Sequence, residues 1–313
     1  MAWTRYLVTG AGGFIGASLV RRLLESEGEV AVLVREDTDL WRLADVLPRL
    51  RVIRGDVAEP GIAARAVSEA RPEAVYHLAA HGGSESQKDI PRILRTNLMG
   101  TSAMLDACTP SPVRLFVHAG SSSEYGYKQE PMRETDLLEP NSVYAVGKAA
   151  ATHLCRLTAT RSSFAIVTLR LFSVYGPWES PTRLVPTILR RCLRGEPLEM
   201  VSRGTARDFV YVGDIIQALV ATDRLVRASG EVVNLGTGTQ TTMEEFVAAA
   251  LEVTGSRSEV RWGAMPARVW DTAHWVASCE KAARILGWRA STGLREGLRR
   301  ALEWIRTRDG GTP

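Results

Sequence analysis

Six short apolar runs occupy the first 172 residues, and helical patterns separate most of them. They are "RYLVTG" at 5–10, "EVAVLVR" at 29–35, "RVIRGDV" at 51–57, "EAVYHLAA" at 73–80, "RLFVHAGS" at 114–121 and "FAIVTLRLF" at 164–172. Strand-length runs without polar alternation suit strands buried on both faces, and intervening helices supply the cover. The pattern predicts βαβ units and a doubly wound parallel α/β sheet. From about residue 176 the texture changes, as Pro177, Pro181, Pro186 and Pro197 punctuate loops and short helices. "EVVNLGTG" reads as a further strand, and "STGLREGLRRALEWIRTR" as a closing amphipathic helix. No internal repeat is visible, and the tail "DGGTP" reads as frayed.

Between the first strand and the first helix lies "TGAGGFIGASL", with Gly10, Gly13 and Gly16 spaced G-x-x-G-x-x-G. With 27 glycines in the chain the string alone is weak, and its position carries the weight. Glycines there let the backbone turn tightly and approach a pyrophosphate at the positive helix N-terminus. A dinucleotide-binding Rossmann-type domain over 1–172 follows, with about 214–235 returning to it. Residues 173–313 then form mainly a smaller substrate-binding α/β domain.

Arg35 lies 19 residues beyond Gly16, where an acid would hold the ribose 2′-hydroxyl of NAD. Val34 cannot accept that hydrogen bond, whereas arginine can grip a 2′-phosphate. The expectation leans to NADP(H). NAD(H) stays open, because Glu36 or Asp37 could serve the hydroxyls and an arginine after a strand is often a solvated charge.

Bulk properties exclude several classes. The charge is +4, carried by 35 Arg and 4 Lys, but no basic run suggests nucleic acid. No apolar run is long enough to cross a bilayer, and the N-terminus enters a strand at once, without a signal-peptide pattern. Cys108, Cys155, Cys192 and Cys279 lie far apart and read as reduced packing residues of a cytoplasmic protein. His77 and His81 have H-x-x-x-H spacing at a strand end, with no further ligand beside them, so no metal is expected.

"NSVYAVGKAAATHLCR" puts Tyr144 and Lys148 four apart on one helix face. A phenol near pKa 10 is a poor acid–base group at neutral pH unless a neighbouring ammonium favours the phenolate. Some twenty residues upstream, "FVHAGSSSEYG" ends a strand in small hydroxyl residues. These pieces, with "GDV", "HLAA", "TNLMGT", "RLFSVYGP", "RDFVYVGD" and "LGW" in order, resemble an extended short-chain dehydrogenase/reductase. The likeness is to the nucleotide-sugar epimerase, dehydratase and reductase group, and covers nearly the whole chain.

The resemblance implies a catalytic set of Ser121, Tyr144 and Lys148. It implies that Gly10, Gly13, Phe14 and Ile15 meet the pyrophosphate, and that Asp56 and Val57 lie beside the adenine. Ala79 and Ala80 would line the cofactor with Asn97 nearby, and Tyr144 and Lys148 would also touch it. Arg207, Arg268 and Asp271 would serve the diphosphate of a nucleotide sugar. Ser122, Ser123 and Ser173 would face the sugar, and Trp178 or Trp270 could border it. A homodimer through the Tyr144–Lys148 helix is a further family expectation.

Departures sharpen this. Family dehydratases follow the catalytic hydroxyl with Asp-Glu, but Ser122 and Ser123 stand there, so dehydration is not expected. Ser173 replaces a family Asn. Glu124 replaces an apolar residue and could face solvent, strain a turn or touch the sugar. Three functions remain. The first is an NADPH-dependent 4-ketoreductase acting on an NDP-4-keto-deoxyhexose, favoured by Arg35 and by a likeness to paratose- and abequose-forming reductases. The alternative is an NAD-dependent C4 epimerase with the same site. The third is a non-catalytic dinucleotide sensor, against which the intact Ser121, Tyr144 and Lys148 argue.

Overall fold

The computed structural model describes residues 3–83, 87–266 and 271–309. Arg268, Trp270 and the tail after Asp309 lie outside the described residues. The first half runs β1 (Arg5–Thr9), α1 (Phe14–Glu25), β2 (Glu29–Val34), β3 (Leu50–Arg54), α2 (Ile62–Ala70) and β4 (Ala74–His77). It continues through α3 (Ile90–Leu94), α4 (Gly100–Cys108), β5 (Leu115–Ser121), α5 (Val143–Ala159) and β6 (Ala165–Leu171). Next come β7 (Ser173–Tyr175), α6 (Leu184–Arg194), β8 (Leu198–Met200), β9 (Ala206–Arg207), β10 (Phe209–Tyr211) and α7 (Val212–Leu219). The chain closes with α8 (Thr222–Arg227), β11 (Val232–Leu235), β12 (Thr241–Thr242), α9 (Met243–Thr254), β13 (Val260–Trp262) and α10 (Leu294–Asp309).

Seven strands form one sheet in the order β3-β2-β1-β4-β5-β6-β11, every pair parallel. Alternation along the strands decides the layers. Leu7, Ala31, Leu33, Val75, Phe116 and Ile166 share one buried cluster with residues of α2, α4 and α5. Val8, Val30, Val32, Tyr76, Val117 and Val167 share the other, with residues of α1, α7 and the later helices. Both faces are covered, so the runs read as continuously apolar. Each fully buried aliphatic side chain is worth roughly 1.5–3 kcal/mol.

The strand order reverses between β1 and β4, and such a reversal opens a ligand crevice at the carboxyl ends. Beyond β6 the chain makes three two-stranded sheets, β7 with β10, β9 with β12, and β8 with β13. Two buried carboxylates organise this part. Asp208 accepts from the Thr237, Gly238 and Ala277 amides and the Thr237 hydroxyl. Asp214 accepts from Ser291 Oγ and from the Thr292 amide and hydroxyl. That tether explains why α10 starts at Leu294, not at Ser291 where the sequence pattern begins. α9 carries a full capping box, Thr242 with Glu245.

Candidate functional site

On the cofactor side, the glycine loop leaves β1 and turns into α1. Gly10 has φ +70°, and a Cβ there would lie 2.6 Å from the Ala79 nitrogen and 2.6 Å from the Leu78 carbonyl carbon. Gly16 packs directly on Gly10, because a Cβ there would overlap the Gly10 carbonyl oxygen. Gly13 caps α1 without a side-chain bond, leaving the first-turn amides, beginning with those of Phe14 and Ile15, to an anion. This tight cradle, opening beside Ala79 and Ala80 at the sheet's switch point, fits a dinucleotide pyrophosphate. Gly10→Ala should weaken dinucleotide binding about tenfold or more, since a left-handed alanine alone costs roughly 1–2 kcal/mol. A fluorescence titration against the unaltered protein checks it.

Arg35 follows the tip of β2, half-buried, with its Nε 3.0 Å from Asp37 Oδ1. Arg54 Nη1 donates to the Arg35 carbonyl at 3.0 Å and the Glu36 carbonyl at 3.3 Å, fixing the tip. Asp56 follows β3 and accepts from the Ala58 amide, and Val57 is buried against Gly100. Asn97 sits in a π-helical turn, Arg95–Met99, and clamps His81 with both amide atoms. It therefore shapes the loop after β4. His77 is a satisfied core histidine between Thr9 and Thr101, lowered to about 3 by burial. Among the described residues no cluster could hold a metal.

On the reacting side, β5 delivers Ser121, which caps the 3₁₀ turn Ser122–Tyr125. Its Oγ bonds Ser123 Oγ at 2.9 Å and accepts from the Ser123 amide. Ser142 caps α5, and the helix carries Tyr144 beside Ser121. Burial raises the Tyr144 phenol above its ordinary 10. The Ser121 hydroxyl opposes that shift, Glu124 adds to it, and Arg183 opposes it. Lys148 is buried and lowered to about 8 by burial, with Glu124 the main opposing charge. Its Nζ lies 3.2 Å from His118 Nε2. An ammonium can only donate, so His118 accepts there and keeps its proton on Nδ1, toward Thr168 Oγ1 at 3.4 Å. His118 is held well below its ordinary value by burial and by Lys148.

Glu124 does not face solvent. It is fully buried; Oε1 accepts the Ser121 amide at 2.8 Å and Oε2 pairs with Arg170 Nε at 2.8 Å. The sequence pattern did not pick out Arg170, His118 or Arg183. Arg183 Nη2 donates to the Gly83 carbonyl at 3.0 Å, close to the Tyr144 ring. Ser122 is committed elsewhere, accepting from Trp275 Nε1 at 3.1 Å, whereas Ser123 stays beside Ser121.

On the substrate side, Ser173 is half-buried on β7. Arg207 on β9 pairs with Asp271 at 2.7 Å and lies over Trp275. The Asp271 carboxylate fixes the direction of the Arg207 guanidinium. Trp178 packs on Trp41 and Trp304 and its carbonyl accepts from Arg42, which also reaches the Gly12 carbonyl. That places Trp178 against the glycine-loop end of the molecule.

Comparisons with known proteins agree with this arrangement. The chain is 36% identical to MoeE5, solved in complex with UDP-glucuronic acid and NAD, with TM-score 0.84 over 97% of this chain and 99% of that one. It is 28% identical to the UDP-glucose 4-epimerase of Thermotoga maritima, solved with UDP-glucose, with TM-score 0.88 over 97% and 99%. A dTDP-glucose 4,6-dehydratase of Streptomyces antibioticus is 30% identical over 96% of this chain and 92% of its own. A model of the NAD dependent epimerase/dehydratase family matches residues 6–236. These relatives include an epimerase and a dehydratase, and they do not show a closeness to 4-ketoreductases. With its seven-stranded sheet, glycine cradle and Ser121–Tyr144–Lys148 group in family order, the chain belongs to the NAD dependent epimerase/dehydratase family.

Proposed function

We propose that the protein inverts C4 of a nucleoside-diphosphate hexose or hexuronic acid, using NAD that it retains through turnover. The observation that carries this is the engagement of Glu124. The turn Ser122–Tyr125 that follows Ser121 holds no other carboxylate, and both Glu124 oxygens are taken by the Ser121 amide and Arg170. Elimination of water needs a free acid–base carboxyl there, so the site supports hydride exchange at one carbon without dehydration. The UDP-glucuronic acid and UDP-glucose bound by solved relatives make a UDP-sugar the first substrate class to try.

A bound nicotinamide would supply a hydride acceptor at C4, with return of the hydride to the opposite face of the ketone giving the inverted centre. Tyr144 takes the hydroxyl proton and gives it back, with Ser121 hydrogen-bonding the same oxygen. Lys148, held by His118, would hold the cofactor ribose and supplies a positive charge one helix turn from Tyr144. Asp37, already beside Arg35, offers an acceptor for ribose hydroxyls, which suits NAD. Arg207, oriented by Asp271, supports the diphosphate, with Arg268 proposed beside it.

A second reading rests on the two arginines at the cofactor strand tip, Arg35 and Arg54, which would suit a 2′-phosphate and an NADPH-dependent 4-ketoreductase. One experiment separates them. The purified protein is denatured, the released dinucleotide identified, and fresh protein given UDP-glucose and UDP-glucuronic acid. Stoichiometric NAD and formation of the 4-epimer, without net NADH, is the expected result. A protein that releases no NAD, prefers NADPH until Arg35→Ala removes the preference, and consumes it with a 4-keto sugar nucleotide overturns the proposal.

We also propose a homodimer, acting in the cytoplasm. Val146, Ala150, His153 and Leu157 form one stripe on α5, and Val146 and Leu157 are 45% and 53% exposed. Met99, at the start of α4, is 57% exposed. All four thiols are free, and no helix of the described residues is long and apolar enough to cross a membrane. Val146→Asp should shift the species seen by light scattering from dimer to monomer.

A further inference from the structure

We propose that Glu124 and Arg170 are positioning residues for the reaction: together they lock the Ser121 turn and set the charge environment of Tyr144 and Lys148. The inference rests on the reading of Tyr144 as the acid–base group. Its geometry is independent of which sugar is used.

Glu124 closes a capping box with Ser121, its carboxylate accepting the Ser121 amide while the Ser121 hydroxyl accepts from the turn. The turn's first hydroxyl thus has a fixed backbone on both sides. Across the sheet, Arg170 on β6 holds the second carboxylate oxygen at 2.8 Å and lies over the Tyr125 ring. Tyr125 in turn donates to Asn234 on β11 at 2.7 Å, so the pair ties the turn to two strands. There is no room for drift, because Gly120 already approaches both partners. A Cβ there would sit 2.9 Å from Glu124 Oε1 and 3.1 Å from Arg170 Cγ.

The charges matter as well as the packing. Facing Glu124 are Arg170 from β6 and Tyr144, Lys148 and Cys155 from α5. Facing Tyr144 are Glu124 and Ser121 from the turn and Arg183 from the loop before α6, with Lys148 one turn along its own helix. Glu124 disfavours the phenolate and favours the Lys148 ammonium. Arg170 partly offsets that charge. A lone carboxylate would hold the phenol too firmly protonated, and a neutral residue would release the ammonium early. A buried pair with one member removed also leaves the other uncompensated.

The test is an ultraviolet difference titration of the phenolate in NAD-loaded protein without sugar, alongside the pH dependence of kcat. Tyr144→Phe assigns the Tyr144 signal. Glu124→Gln keeps an oxygen for the Ser121 amide but drops the charge, so the Tyr144 midpoint should fall by roughly one pH unit. The matching limb of the kcat profile should move the same way, with KM little changed. Arg170→Lys keeps the cation and loosens the carboxylate; it should cut kcat several-fold at an unchanged midpoint, and it stands in if Glu124→Gln fails to fold. A Glu124→Gln midpoint equal to the original overturns the positioning role alone. An Arg170→Lys variant with unchanged kcat also overturns it. A phenolate signal that Tyr144→Phe does not remove overturns both the Tyr144 reading and the proposal.

Discussion

Tyr144→Phe is expected to lower kcat about a thousandfold while leaving dinucleotide binding intact, since a positioned acid–base group typically contributes 10²–10⁴-fold. Among the described residues, the phenol's neighbours are the Ser121 hydroxyl, the Lys148 helix turn and the loop carrying Gly83 and Arg183. The substitution deletes one oxygen and no packing, so Tm should stay within a few degrees. Burial raises this phenol above 10, so in the protein by itself it holds its proton at neutral pH. The positive charges of Lys148 and of an oxidised nicotinamide are what would bring the phenolate within range. The base form grows as pH rises, so activity should climb with pH along the limb that belongs to Tyr144. Above about pH 8 Lys148 begins to lose its proton, and activity should fall again. Tyr144→Phe should flatten the first limb. Full activity in Tyr144→Phe would mean that another group moves the proton, whereas no turnover in either protein, with dinucleotide binding unchanged by the substitution, would fit a dinucleotide sensor in which the phenol is a bystander.

The parts of this site that were legible from sequence are the local ones. Gly10, Gly13 and Gly16 follow one strand and open one helix, and Tyr144 and Lys148 share one helix face, so spacing alone places them. The illegible parts are pairs brought together only by the tertiary fold. Glu124 meets Arg170 across 46 residues, Lys148 meets His118 across 30, and Arg207 meets Asp271 across 64. Periodicity says which face a strand residue takes, but not which strand lies beside it. One signal was present: Arg170 interrupts the otherwise apolar run "AIVTLRL", and a buried arginine demands a buried acid. Glu124, standing where the family pattern has an apolar residue, is that acid. Arg35 illustrates the reverse case. The residue is where the pattern put it, but Asp37 at 3.0 Å gives the strand tip both a donor and an acceptor. Position alone therefore could not choose the cofactor.

The second large effect is on stability, and it lies outside the reacting groups. Glu179, in the loop between β7 and α6, is only 8% exposed, and its Oε2 has no hydrogen-bond partner. Burial raises its carboxyl from 4.5 to about 8, against the opposing pull of Arg183 and the Gly176 amide. The folded protein therefore holds a proton that the unfolded chain releases. Below pH 4.5 both states are protonated and the residue contributes its full stability. As pH rises the unfolded chain ionises first, so stability falls steadily until about pH 8, where the folded carboxyl ionises and the loss levels off. Each unit of separation is worth about 1.4 kcal/mol, which sets a ceiling of roughly 4–5 kcal/mol on the total. Glu179→Gln keeps an oxygen for the Gly176 amide and removes the titration. Its thermal unfolding curve should match the original near pH 4.5 and exceed it by several degrees at pH 9, at roughly 2 °C or more per kcal/mol for a chain of this size. Differential scanning fluorimetry across that range, with both proteins in the same buffers, reads the gap directly. Parallel curves would mean that the carboxyl ionises in the folded protein at its ordinary pKa, and that the orphaned oxygen is solvated after all.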